Sequence, residues 1–125
     1  MWPSDVDALI ELQTGLAVAA MPALAFDPSA PAGGCFVCFA RGDRGDGRAG
    51  DRGWAGAAVI APGQPRRAVA VAGEGGGPYS PGLLARREGA LLEAAVRALP
   101  TLPAVLLVDG TGRDHPRGAG LALHL

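Results

Sequence analysis

The sequence predicts an α/β fold, and three observations carry that expectation. Short β-prone segments come first, an amphipathic stretch ending at Pro100 follows, and then comes the wholly apolar run 104–108. Strands, helix and buried strand in that order describe an antiparallel meander joined through a helical crossover to a parallel strand.

A chain of 125 residues supports one small domain, taken here as residues 1–125. With 49% hydrophobic and 18% charged residues it can bury a core, which argues against global disorder. The 20 Gly and 11 Pro predict short elements and many turns, and aromatics at 5% leave Val, Leu and Ala to fill the interior. All 11 basic residues are Arg, which beside the Ala and Gly excess suggests a GC-rich coding sequence. A formal charge of −1 excludes a global basic field, so any nucleic-acid binding must be local. No segment reaches membrane-spanning length. Asp5, Asp7 and Glu11 at the N-terminus, with no basic residue among them, argue against a secretory signal. A soluble cytoplasmic protein with no membrane partner is expected.

The first helix is expected over 4–20, with Ser4 as cap and Asp7 at the capping-box position. Val6, Leu9, Ile10, Leu12, Leu16 and Val18 give it a mainly helical period, and Pro22 and Pro28 end it. A first strand follows at about 35–40. It carries Cys35 and Cys38, and residues three apart on a strand face opposite ways, a poor geometry for a disulfide or a shared metal. Both are expected to be buried strand thiols. Residues 41–53 are rich in Gly, Arg and Asp and read as a flexible loop. Residues 57–61 and 68–72 read as two more strands around a Pro62-Gly63-Gln64-Pro65 turn. The loop Glu74-Gly75-Gly76-Gly77 lacks the Lys and Ser/Thr of a phosphate-binding P-loop.

A second helix is expected from Pro81 to Leu99, with Leu83, Leu84, Leu91, Leu92, Ala95 and Leu99 largely on one face. Glu88 shares that stripe and should point inward, where a carboxylate needs a partner, a proton or a metal. Residues 104–108, apolar on both faces, read as a central parallel strand covered on each side. A ribonuclease H-like fold, in its N-terminal part, fits this order of elements.

Taken singly, the candidate site residues have bland readings. Asp109-Gly110 suits a turn, Glu88 could pair with Arg87 or Arg113, His115 could be solvated, Arg117 could be a surface charge, and Tyr79 could simply pack. Together they suggest phosphodiester chemistry. Asp109 closes a buried strand, where α/β ligand sites form. Two carboxylates on adjacent elements would suit Mg²⁺, with Mn²⁺ as the alternative. Such an ion activates water and neutralises phosphate charge. His115 and Arg117 could steady phosphate oxygens or help protonate the leaving group.

Two blocks of sequence then carry a resemblance. Pro78-Tyr79-Ser80-Pro81-Gly82-Leu83-Leu84 leads into Arg86-Arg87-Glu88. The run into Asp109-Gly110-Thr111-Gly112 is followed by His115-Pro116-Arg117 and Gly120-Leu121-Ala122-Leu123-His124. In order and spacing this region, 78–125, resembles the endonuclease V family, DNA-repair nucleases that nick DNA or RNA beside inosine (deaminated adenine). Gln13 and the strand meander agree more loosely. The resemblance implies a Mg²⁺-dependent endonuclease with Asp109 and Glu88 as metal-site carboxylates and His115 as an active-site histidine. It implies that Tyr79 wedges into the strand at the lesion, with Pro81 and Gly82 of the same segment at the substrate. Gly110 and Gly112 would then line the base pocket, and Arg117 would lie at the substrate.

Two departures bear on activity. The family's first strand carries a metal-binding Asp where this chain has Phe36, which offers no oxygen; Asp43 or Asp46 in the next loop is a weak substitute. The family also continues past the position of His124, so C-terminal truncation and a partly uncovered sheet are expected. Impaired cleavage follows, with two alternatives: a non-catalytic remnant gripping nucleic acid through Tyr79, Arg87, His115 and Arg117, or an unstable fragment.

Overall fold

A computed structural model describes residues 2–3, 5–25, 27–40 and 45–125. Helix α1 covers Val6–Val18. Its cap is Asp5, whose carboxylate accepts from the Ala8 amide at 3.0 Å; the expected Ser4 cap lies outside the described residues. The helix has no basic residue in its last turn. Instead the Arg113 guanidinium, from far along the chain, donates to the Ala17 and Ala19 carbonyls. Leu9 and Gln13, one turn apart, form its buried stripe.

Three antiparallel strands follow: β1 (Ala32–Phe39), β2 (Arg52–Ile60) and β3 (Arg67–Glu74). Helix α2 (Leu84–Arg97) then crosses over to β4 (Val105–Val108), which pairs parallel with β1, and a short helix α3 (Leu121–His124) closes the described structure. The expected meander, crossover and parallel strand are all present. β1 and β2 begin earlier than the sequence suggested, because Gly33, Gly34 and Gly53 are strand residues and not linkers. Gly53 and Gly73 face each other across β2 and β3. A Cβ on Gly53 would stand 3.0 Å from Leu91 and one on Gly73 2.6 Å from it, so the glycines let α2 lie close on the sheet.

The core forms between that face of the sheet and α2. Val37, Ala55, Ala57 and Val59 meet Ala85, Leu91, Leu92 and Ala95, with Leu9 and Leu121 at the flank. At about 25 cal/mol per Å² of apolar surface removed from water, each fully buried leucine contributes roughly 2 kcal/mol.

The opposite face corrects two expectations. The sheet order is β3-β2-β1-β4, so among the described residues β4 lies at an edge and is not central. Its Leu107 is 72% exposed, because no described element packs over that side. The paired thiols are not both buried either. Cys35 is half-buried, and Cys38 shares the open face with Phe36 and Trp54. Their opposed orientations and free thiols agree with the period-two geometry of a strand. No described helix is long and apolar enough to cross a membrane.

Candidate active site

The parallel register places Cys35 of β1 opposite Val108 of β4, so the next residues, Phe36 in mid-strand and Asp109 just past the end of β4, stand at the same level. α2 packs across β1, β2 and β3, with Glu88 in its second turn. A cavity of about 380 Å³ opens there. Its walls include Gln13, Phe36, Tyr79, Gly82, Glu88, Asp109, Gly110, Thr111, His115 and Leu121. Most of the sequence-selected residues therefore meet. Pro81, Gly112 and Arg117 are not among the lining residues: Pro81 is exposed, and Gly112 donates to Asp114 and accepts from the Gly120 amide.

Tyr79 reaches the cavity from a braced turn. Its amide donates to the Asp46 carbonyl at 2.7 Å, and the Leu83 amide donates to the Ser80 carbonyl at 2.9 Å. Pro81 and Gly82 are the central residues of the latter turn, and Gly82 has φ of +79°, the left-handed value such a turn requires at that position. Tyr79 is 47% exposed and lines the cavity.

Glu88 is half-buried and turned to the cavity, as its place in the apolar stripe suggested. Burial pushes its carboxyl above the ordinary range; Arg87 opposes the shift, and the nearby Asp109 charge adds to it. Neither expected arginine pairs with it. Arg87 donates to the Gly77 carbonyl and the Asp51 carboxylate and lies over the Phe39 ring at 4.0 Å, while Arg113 is spent on α1. Among the described residues Glu88 has no hydrogen-bond or ion-pair partner. An unpartnered carboxylate repelled by a second one is a reason to look for a cation.

His115 is not the solvated loop residue its bland reading supposed; it is 7% exposed. Its Nδ1 accepts from the Arg117 amide at 3.0 Å, so Nε2 carries the proton and donates to the Gly82 carbonyl at 3.0 Å. Both ring nitrogens are engaged. Arg117 is likewise committed inward, to Gln13 and to Gly82. Gln13, only 1% exposed, stands in the sequence as a loose family match and not as a site residue. The signal was present, since a lone amide shares a helical stripe with Leu9 and Leu16.

The donor set suits a hard divalent ion in part. Mg²⁺ is commonly held by one or two carboxylates together with substrate phosphates and waters. Glu88 and Asp109 can supply the carboxylates. Phe36, on the same cavity wall, offers no oxygen, and among the described residues no group of three or more His, Cys, Asp or Glu is arranged to hold a metal. Asp43, a proposed substitute, lies outside the described residues, and Asp46 holds Tyr79 through its backbone carbonyl. Cys35 also lines the cavity, but burial raises its thiol pKa and keeps it a poor soft ligand.

Comparison with protein-family models matches residues 47–125 to the family described as Endonuclease V. A curated relative, endonuclease V of Thermus thermophilus, is 56% identical over 48 residues, covering 38% of this chain and 21% of its own. The solved endonuclease V of Streptomyces avermitilis superposes with a TM-score of 0.72 at 30% identity, over 96% of this chain and 51% of that one. Endonuclease V of Ciona intestinalis, solved with a 24mer DNA containing an inosine followed by a ribo-adenosine, superposes with a TM-score of 0.71 at 18% identity, over 91% of this chain and 49% of that one. The chain thus spans about half the length of these solved relatives, whose fold is its own.

Proposed function

This chain belongs to the endonuclease V family, and from that premise we propose that it recognises inosine in a DNA or RNA strand and hydrolyses a nearby phosphodiester slowly, as a DNA-repair nuclease with an incomplete metal site. One observation carries the reading. A braced aromatic turn, a glutamate with no hydrogen-bond or ion-pair partner among the described residues, and a strand-end aspartate converge on a single cavity.

The chain's own residues divide the work. Tyr79 stacks in the gap that a displaced base leaves, which offsets part of the few kcal/mol that extrusion costs. Gly110, with no side chain, gives the displaced base room beside the backbone. Asp109 and Glu88 would hold Mg²⁺ or Mn²⁺, and the bound ion would supply charge neutralisation at the phosphate and make a nearby water more acidic. Burial, with the Asp109 charge adding to it, makes the Glu88 carboxylate readier to take up a proton than an exposed one. His115, both nitrogens engaged, holds the wall and does not protonate the leaving group.

A second reading, binding without cleavage, is favoured by Phe36, a side chain without oxygen at the cavity. In that reading Tyr79 carries most of the grip, because Arg87, His115 and Arg117 are bonded within the protein. The test uses a labelled oligonucleotide with one inosine, with Mg²⁺ or with chelator, beside its adenosine twin. Slow, metal-dependent, inosine-selective cutting that Asp109→Asn abolishes is expected. Equal affinity for the two strands, with no cutting, would remove the reading.

A further inference from the structure

The Gly82 carbonyl oxygen receives three side-chain donors. Gln13 Nε2 lies at 3.2 Å, His115 Nε2 at 3.0 Å and an Arg117 terminal nitrogen at 2.6 Å. A carbonyl has two lone pairs, so three donors saturate it. The donors are also tied to one another. Arg117 Nε donates to Gln13 Oε1 at 2.6 Å, and the Arg117 amide donates to His115 Nδ1 at 3.0 Å. These bonds fix the amide orientation of Gln13 and the tautomer of His115, so each is obliged to aim a proton at Gly82. Gln13 and His115 are the two buried polar residues of the described core, and a half-satisfied network there would be costly.

The target is not an ordinary position. Gly82 closes the turn that begins beside Tyr79 and feeds directly into α2, which bears Glu88. A Cβ there would stand 3.1 Å from Arg117 and 3.5 Å from His115. The clamp thus joins three elements far apart in sequence: α1, the Tyr79 turn and the loop after β4.

We propose that Gln13, through this three-donor clamp with Arg117 and His115 on the Gly82 carbonyl, is a positioning residue that holds Tyr79 for inosine discrimination. The proposal rests on the nucleic-acid reading above for the word inosine, but the clamp itself can be tested without it.

Gln13→Glu is the informative change: it keeps an oxygen toward Arg117 and replaces the donor to Gly82 with an acceptor. Leu9→Ala, one turn away and also fully buried, serves as the control for lost stability alone. Hydrogen exchange of the Tyr79 and Leu83 amides is expected to quicken at least tenfold in Gln13→Glu, with the β1–β2 amides unchanged. The ratio of inosine to adenosine oligonucleotide affinity, measured by anisotropy well below the unfolding temperature, is expected to fall by about tenfold. Leu9→Ala should leave that ratio alone. Should Gln13→Glu fail to fold, Arg117→Lys, which removes the forked pair of donors, is expected to give the same local signature. Unchanged exchange at Tyr79 and Leu83, or a rise shared equally by the sheet, overturns the clamp. A parent chain without inosine preference, combined with the local exchange change, overturns the nucleic-acid reading and leaves the clamp standing.

Discussion

Replacing Phe36 with Asp should make the chain's stability depend on Mg²⁺. Phe36 is 63% exposed, so only a little over a third of its surface is lost from contact. For a side chain of roughly 200 Å², that loss costs about 2 kcal/mol at 25 cal/mol per Å². A third carboxylate beside Glu88 and Asp109 adds like-charge repulsion, so the metal-free variant should melt well below the parent. The cation reverses the order of effects. If three carboxylates hold Mg²⁺ with a Kd of about 0.1 mM, about 10 mM metal contributes roughly 2.7 kcal/mol, or about 10 °C in Tm for a chain of this size. For the parent, with two carboxylates and a Kd of about 5 mM, the same metal contributes about 0.6 kcal/mol and roughly 2 °C. Thermal unfolding followed by circular dichroism, across a Mg²⁺ series at constant ionic strength, gives both numbers. Equal shifts in the two chains would show that Phe36 does not occupy a metal-ligand position, and the reasoning would fail.

Three further outcomes follow from the geometry. Glu88→Gln should raise Tm at pH 7 modestly while abolishing any Mg²⁺-linked shift, as thermal melts would show. Burial first, and the Asp109 charge after it, raise the folded-state pKa of Glu88. Ionisation therefore costs the folded state, and parent stability should decline as pH climbs from the usual carboxylate range through that raised value, a slope absent in Glu88→Gln. Leu92→Ala should cost about 3 kcal/mol in urea unfolding, since Leu92 is 2% exposed in the core under the sheet; a loss below about 1 kcal/mol would mean that α2 does not seat there. Gly89→Ala should weaken the fold by about 1–2 kcal/mol, because its Cβ would stand 2.2 Å from the Trp2 ring. It should also release Trp2, which donates to Glu93 and stacks on His124 at 5.6 Å.

Much of this was legible in the sequence because it depends on local periodicity. The stripe of Leu84, Leu91, Leu92 and Ala95 gives α2 and turns Glu88 inward, and the apolar run before Asp109-Gly110 gives β4 and its strand-end carboxylate. Other features depend on partners distant along the chain. Gly53 reads as a loop residue, and Gly73 falls outside any predicted strand, until α2 is seen resting on them through Leu91. Arg117 and His115 read as substrate-facing groups because nothing nearby in sequence announces the Gly82 carbonyl or Gln13 as their partners. The run 104–108 reads as a central strand because its apolar content is the same whether or not an element covers it, and Leu107 shows that among the described residues its outer side is open.

The most direct test of a recognition site with a weakened metal centre is single-turnover cleavage of an inosine-containing oligonucleotide in Mg²⁺ by the parent and by Phe36→Asp. The account predicts inosine-selective binding by both chains, with cutting at least tenfold faster once the aspartate is present. Robust cutting by the parent, unimproved by Phe36→Asp, would contradict it.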